Sequence, residues 1–161
     1  MLEFRRVDAP SLRRVEAFLA AQAGASVRLG LVWLAPGALG RAISAVAGAS
    51  GITFGPVVFL GPAPSDRLAR AEPGTSDLDA LGSLLVHECV HVWQYAREGP
   101  AWFLACYVGS YLRHLARSRR FDAAGRTAAY LAIPYEVEAY RLETTWLDTE
   151  ASDTHFDIIL P

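Results

Sequence analysis

Hydrophobic positions recur every three to four residues in several stretches of the chain, which is the spacing of a helix with one buried face. The first stretch is 11–23, where Ser11 is placed to cap the helix and Gly24 to end it. A short alanine-rich stretch, 37–47, predicts a second helix that is closed by Gly48. Both predicted helices lie in the first third of the chain.

Shorter runs of β-branched and aromatic residues predict strands between and after these helices. Residues 26–34 alternate well enough for one strand, and 52–54 and 57–60 are two further runs separated by a Gly-Pro pair. Since proline cannot donate to a β-ladder, we expect an edge strand or a bulge at this pair. Residues 61–76 are rich in proline, glycine and charged residues, which predicts a loop.

The C-terminal half predicts three more helices. The first covers about 77–97, begun by an approximate capping box at Ser76 and ended by a Gly-Pro pair. The second covers 101–118, and the third covers about 134–148 with its proline in the first turn. Residues 149–161 predict an irregular tail. A small mixed sheet followed by a helical C-terminal part predicts an α+β fold.

Composition narrows the class of protein. The 161 residues are 52% hydrophobic and 20% charged, which predicts a single folded domain over 1–161 and excludes intrinsic disorder. The formal net charge of −2 gives no indication of a nucleic-acid partner. Two cysteines, Cys89 and Cys106, are too few for the disulfide framework of a small secreted protein.

Two stretches bear on membrane contact and export. No apolar segment follows the charged residues of 1–10, so no signal peptide is evident, and we expect a cytoplasmic protein or one delivered from the cytoplasm. Residues 29–65 contain one charged side chain, Arg41, and are long enough to span a bilayer. Their glycines and prolines break any long helix, which favours a core segment over membrane contact.

The clearest chemistry lies in His87, Glu88 and His91, which form the pattern H-E-x-x-H. Histidines four residues apart lie on one face of a helix, so both imidazoles can bind the same tetrahedral metal ion. Glu88 is turned by about 100° from His87, so it can address a water molecule instead of the ion. Zinc lowers the pKa of a water that it binds, and a neighbouring carboxylate can take the proton and later donate it to a leaving amine.

A catalytic zinc ion needs a third protein ligand. Gln94 and Arg97 stand where the metzincin pattern requires Gly and His, so that class is excluded. The third ligand is then a carboxylate of the last predicted helix, either Glu136 or Glu138, which are two residues apart and point to nearly opposite faces. Glu136 is favoured because Tyr140 follows one turn later on the same face and could hydrogen-bond a ligand imidazole.

The remaining polar candidates are less well defined. Gln94 follows His91 by three residues, so it either supports that ligand or faces solvent. His114 and His155 are weaker candidates for a metal ligand. A donor to the oxyanion of a transition state could be one of five tyrosines, and the sequence leaves the choice open: Tyr107, Tyr111, Tyr130, Tyr135 and Tyr140.

The segment 85–95, LVHECVHVWQY, together with ITFG at 52–55 and PYEVEA at 134–139, resembles a known bacterial family. This is the core-domain family linked to extracellular contractile injection systems, whose members are zinc metallopeptidases of the Glu-zincin type. The resemblance covers about 40–145 and rests on H-E-x-x-H-x-x-Q and E-x-E-A.

The resemblance implies a zincin-like fold in which His87 and His91 bind zinc, Glu88 is the catalytic acid/base, and one glutamate of the E-x-E-A element is the third ligand. The chain departs from the family at Tyr140, because many members carry Asp there.

These residues lead to two hypotheses of function. The first is a zinc-dependent peptidase that binds a peptide or protein substrate along a sheet edge at 52–60, by strand addition. The alternative is a catalytically inactive zincin-like module for binding or assembly, associated with a membrane through 29–65.

Overall fold

Short strands alternate with helices in the first 60 residues, and helices follow. The computed structural model describes residues 4–47 and 49–156, without the side chains of 45–47 and 151–156. The elements are β1 (Arg5–Arg6), α1 (Ala9–Ala23), β2 (Trp33–Ala35), α2 (Ala38–Ala47), β3 (Gly51–Phe54), β4 (Val57–Leu60), α3 (Pro62–Arg70), α4 (Asp77–Leu81), α5 (Ser83–Glu98), α6 (Pro100–Ser118), α7 (Ala123–Leu131) and α8 (Pro134–Phe156). This is the α+β fold with a small mixed sheet that the sequence predicts.

The four strands form one sheet in the order β1-β2-β4-β3. β2 and β4 run parallel, pairing Leu34 with Val58, and the other two pairs are antiparallel. Both of these side chains are fully buried, because β2 and β4 are the central strands. A tight turn with Gly55 at φ 57° joins β3 to β4. The edge strand expected at the Gly-Pro pair is β3, because β3 is the last strand in the order of the sheet.

Helix α5 carries the H-E-x-x-H residues through the centre of the molecule. It packs against α8, β3, α4 and α6, and α1 also contacts it. Its side chains Leu85, Val86 and Val90 are buried in the same apolar core as Leu34 of the sheet and Leu142 of α8. The candidate metal ligands therefore lie where the sheet, α5 and α8 meet.

The first helix begins earlier than the sequence predicts. Ser11 is not its N-cap: Asp8 has that role, since its carboxylate accepts a hydrogen bond from the Ser11 backbone N–H at 2.8 Å. Pro10 fits within the first turn, where a backbone N–H is not needed. The predicted end at Gly24 is confirmed, with φ 63° in the left-handed region.

The predicted strand at 26–34 is wrong except at its end, since among the described residues only Trp33–Ala35 pairs with neighbouring strands. Gly30 has φ 69°, which interrupts an extended chain, and the Leu29 N–H donates to the carboxylate of Glu16 at 2.7 Å. The predicted loop at 61–76 is also wrong, because α3 occupies its first half. Pro62 and the next proline both fit within the first helical turn.

The helix predicted at 77–97 is divided into α4 and α5 at Gly82, whose φ of 60° and ψ of −142° are not helical. Its predicted cap is confirmed, because the Ser76 hydroxyl accepts from the Asp79 N–H at 3.1 Å. The helix predicted at 101–118 is confirmed as α6, whereas α7 was not predicted.

The irregular tail predicted at 149–161 is wrong up to Phe156, because α8 continues to that residue. Residues 157–161 and Gly48 lie outside the described residues. The segment 29–65 forms β2, α2, β3, β4 and the first turn of α3. In the described part of the chain, no helix has both the length and the apolar character needed to cross a membrane.

Candidate metal centre

His87 and His91 of α5 and Glu136 of α8 come together as a buried cluster. The His87 Nε2 lies 3.4 Å from one oxygen of Glu136, and the His91 Nε2 lies 3.3 Å from the other. Since α5 and α8 pack closely along their lengths, a carboxylate 45 residues beyond the second histidine reaches both imidazoles.

The cluster fits a zinc ion in its geometry and in its donor atoms. A tetrahedral ion with bonds of about 2.0–2.1 Å holds its ligand atoms roughly 3.3–3.4 Å apart, and each Nε2 lies at about that distance from one of the two Glu136 oxygens. The Glu136 Oε2 is buried without a hydrogen-bond partner among the described residues. A cation would satisfy this oxygen, and two imidazoles with one carboxylate are a donor set typical of catalytic zinc.

The outward ring nitrogen of each histidine is already held by a hydrogen bond. His87 Nδ1 lies 3.0 Å from a carboxylate oxygen of Glu143, whose other oxygen accepts from the Ser83 hydroxyl at 2.7 Å. His91 Nδ1 lies 2.8 Å from the Gln94 side-chain oxygen. Because both partners accept, each Nδ1 carries the proton and each Nε2 is free to bind a metal ion.

Gln94 links the centre to Glu138, which lies outside it. The Gln94 side chain is fully buried, and its amide nitrogen donates to the Tyr135 carbonyl at 3.0 Å and to the Glu138 carboxylate at 2.9 Å. Arg97 contacts both oxygens of Glu138 at 3.2 Å. Of the two candidate third ligands, the structure therefore brings Glu136 to the histidines and turns Glu138 towards Gln94 and Arg97.

Tyrosines surround Glu136. The Tyr107 hydroxyl donates to the Glu136 Oε1 at 2.5 Å. Burial and the nearby carboxylate raise the pKa of Tyr107 and of Tyr130, so both phenols stay protonated and able to donate. The expected hydrogen bond from Tyr140 to a ligand imidazole is absent among the described residues; its ring packs against His87 at 4.6 Å, and Glu143 holds the imidazole instead.

His87 and Glu136 shift each other's pKa in opposite directions. Burial alone would lower the pKa of His87, but the carboxylates of Glu136 and Glu143 beside its ring raise it to about 9. Burial acts to raise the pKa of Glu136, and the two histidines outweigh it and hold this pKa well below its usual range. A negative carboxylate is therefore in place between the rings.

Glu88 lies beside the cluster in a pocket formed by β3. Its Oε2 accepts from the Thr53 hydroxyl at 2.7 Å, and the backbone of Gly51 lies against its other oxygen. Burial raises the pKa of Glu88, although the two histidines nearby act to lower it. The Glu88 carboxyl is thus held beside the cluster, where burial favours its protonated form.

Several residues of the centre were missed by the sequence reasoning: Gly51, Thr53, Ser83 and Glu143. The signal for Glu143 was present, because it follows Glu136 by two helical turns and shares its face. Ser83 had the same kind of signal, because it precedes His87 by four residues on one helix face, whereas Gly51 and Thr53 had none, since they belong to β3.

The other candidates lie apart from the cluster. His114 is on α6 and is not a member of the described metal-binding group. His155 is on α8, and its side chain lies outside the described residues. Cys89 is buried in the apolar core, where burial raises the pKa of its thiol. Tyr135 packs against Phe103 with ring centres 4.6 Å apart.

No protein-family model, curated protein or solved structure matches this chain. The functional conclusion therefore depends on the side chains of the centre and on their motifs.

Proposed function

We propose that the chain is a zincin-like, zinc-dependent peptidase in which His87, His91 and Glu136 bind the zinc ion and Glu88 is the general acid/base. One observation carries the proposal. The Nε2 atoms of both histidines lie within 3.4 Å of the buried Glu136 carboxylate. Both Nδ1 atoms are hydrogen-bonded, one to Glu143 and the other to Gln94. The resemblance of the motifs to the injection-system core-domain family agrees with this assignment.

A bound zinc ion would polarise the substrate carbonyl and lower the pKa of a water molecule at the site. Glu88 accepts a proton from the attacking water and donates it to the leaving amine nitrogen as the peptide C–N bond breaks. The Thr53 hydroxyl holds one Glu88 oxygen and so fixes the orientation of the carboxylate for this transfer. Glu143 and Gln94 keep the two imidazoles in the orientation that binds the ion.

Strand β3 is the proposed docking edge for an extended peptide. It is an edge strand, and its Thr53 contacts Glu88 directly. A substrate added beside β3 would therefore pass next to the acid/base. The sequence predicts docking along 52–60. We assign the docking edge to β3 (Gly51–Phe54) and not to β4, because β4 lies between β2 and β3 in the sheet.

A catalytically inactive binding or assembly module is the second candidate. The observation that favours it is the Tyr107 hydroxyl, which is already engaged with Glu136 and is not free to donate to a transition-state oxyanion.

The variant Glu88→Gln separates the two functions. We expect it to bind zinc like the wild type and to hydrolyse a mixed peptide library about 10²–10⁴-fold more slowly, as loss of a general acid/base requires. The matched control is Glu72→Gln, an exposed glutamate on the loop after α3. Hydrolysis that survives in Glu88→Gln contradicts the mechanism. Stoichiometric zinc in a wild type that cleaves no peptide favours the binding module.

A further inference from the structure

Helix α6 has one face in the metal centre and an apolar face in solvent. On the inner side, Phe103 is buried next to His91, and Tyr107 donates to Glu136. On the outer side, Trp102 is 63% exposed and Leu112 is 55% exposed. The solvent-facing side of a helix is typically polar, so an exposed tryptophan and an exposed leucine on that side indicate an interaction surface.

Two more exposed apolar side chains, Val108 and Phe121, lie on α6 or directly after it, and we call the four together the apolar strip. Val108 is half-exposed on the same face, and Phe121, in the linker to α7, is 64% exposed. The linker is held in place by Arg126, which donates to the Phe121 carbonyl at 2.6 Å, and by the pair of Arg120 with Asp122 at 3.2 Å. We define the α6–α7 surface as Trp102, Val108, Leu112 and Phe121 with the arginines beside them.

These arginines make the surface strongly basic. Residues 99–135 contain five arginines and one acidic residue, Asp122, a formal charge of +4, whereas the rest of the chain is −6. All five are exposed: Arg113, Arg117, Arg119, Arg120 and Arg126. Within the described residues, the first three have no ion-pair partner, so their guanidinium groups are available to an anion.

We propose that the α6–α7 surface binds the headgroup region of an anionic phospholipid bilayer. Exposed aromatic and aliphatic side chains enter the boundary between headgroups and acyl chains, and arginines beside them contact phosphates. A second copy of the chain fits this surface less well, because self-association would bring the same arginines together.

The location of the surface has a consequence for the proposed peptidase. A helix with its side chains is about 10–12 Å across, so the metal centre would lie roughly one helix diameter from the headgroups. Substrates presented at the membrane surface would then be favoured. This consequence rests on the proposed function, whereas binding to the bilayer does not.

Flotation with lipid vesicles tests the proposal. We expect binding to vesicles of phosphatidylcholine with phosphatidylglycerol, weakening as salt is added, and little binding to phosphatidylcholine alone. The double variant Arg113→Gln/Arg117→Gln should bind roughly thirtyfold more weakly, about fivefold for each arginine. Its control is Arg28→Gln, which removes an exposed arginine outside the surface and should bind like the wild type.

A second pair of variants tests the apolar strip. Leu112→Ser should weaken binding by about tenfold, whereas Leu31→Ser, at a comparably exposed leucine elsewhere, should not. Glu88→Gln should bind vesicles like the wild type, which separates lipid binding from hydrolysis. No preference for the anionic vesicles, or equal losses in variant and control, overturns the proposal. A dimer that Leu112→Ser dissociates, without vesicle binding, assigns the surface to a second copy and also overturns it.

Discussion

Gly51 and Glu88 lie so close together that a β-carbon on Gly51 would be 2.8 Å from the Glu88 carboxyl carbon and closer still to its Oε1. The first residue of β3 must therefore be a glycine if the glutamate between the two histidines is to keep its place. This contact joins the edge of the sheet to the proposed acid/base, and Thr53, two residues later on the same face of β3, holds the other Glu88 oxygen.

Gly51→Ala is expected to displace the Glu88 carboxylate and leave the metal ligands in place. Peptide hydrolysis should fall by about a hundredfold, and overpacking should lower the free energy of unfolding by about 1–3 kcal/mol. Zinc content should stay at the wild-type level. Gly109→Ala, where the added methyl group meets no atom within 4 Å, is the control for activity. Equal activity in both variants would contradict the role of Gly51.

Glu143→Gln is expected to weaken zinc binding by about ten- to a hundredfold, because the amide supports the His87 imidazole less well than a carboxylate does. Competition with a chromophoric chelator measures the affinity. Glu72→Gln, with the same change on an exposed loop, should leave it unchanged. Unchanged affinity in Glu143→Gln would mean that this carboxylate does not orient the ligand.

Glu136→Ala and Glu138→Ala distinguish the two candidate third ligands. The first variant should lose zinc affinity by more than the roughly hundredfold typical of a lost hydrogen-bond partner. The second should lose about tenfold at most, since Glu138 acts only through Gln94. Metal content after dialysis, with circular dichroism to verify folding, gives the answer. Zinc that is lost only in Glu138→Ala would reassign the third ligand.

The contact of Glu138 with Arg97 and Gln94 predicts a pH dependence of stability. Burial acts to raise the pKa of Glu138, but these two donors hold it below the ordinary value of 4.5. Its contribution is therefore complete above pH 4.5 and is lost as the pH falls through the lowered pKa. Urea unfolding should show that wild type loses about 0.5–1 kcal/mol more than Glu138→Gln over this acidic range, as expected for a half-exposed pair. Parallel pH profiles would contradict the prediction.

Local signals predicted much of the fold. The caps at Ser76 and Gly24 and the proline at the start of α8 act within a few residues, so they are visible in the sequence. The errors lie where packing overrides local preference. Residues 26–32 alternate like a strand but have no partner strand in the part of the chain that the structure describes. Helix α3 forms in a segment rich in proline because its prolines fall in the first turn.

The sequence by itself determined that His87 and His91 share a helix face, because 3.6 residues per turn set that relation before any tertiary contact forms. Only the tertiary structure decided that Glu136 faces the two rings and that Glu138 does not. The same is true of Gly51 beside Glu88 and of Glu143 behind His87. These relations join α5 to β3 and α8, and the packing of distant segments is not visible in the spacing of residues along one chain.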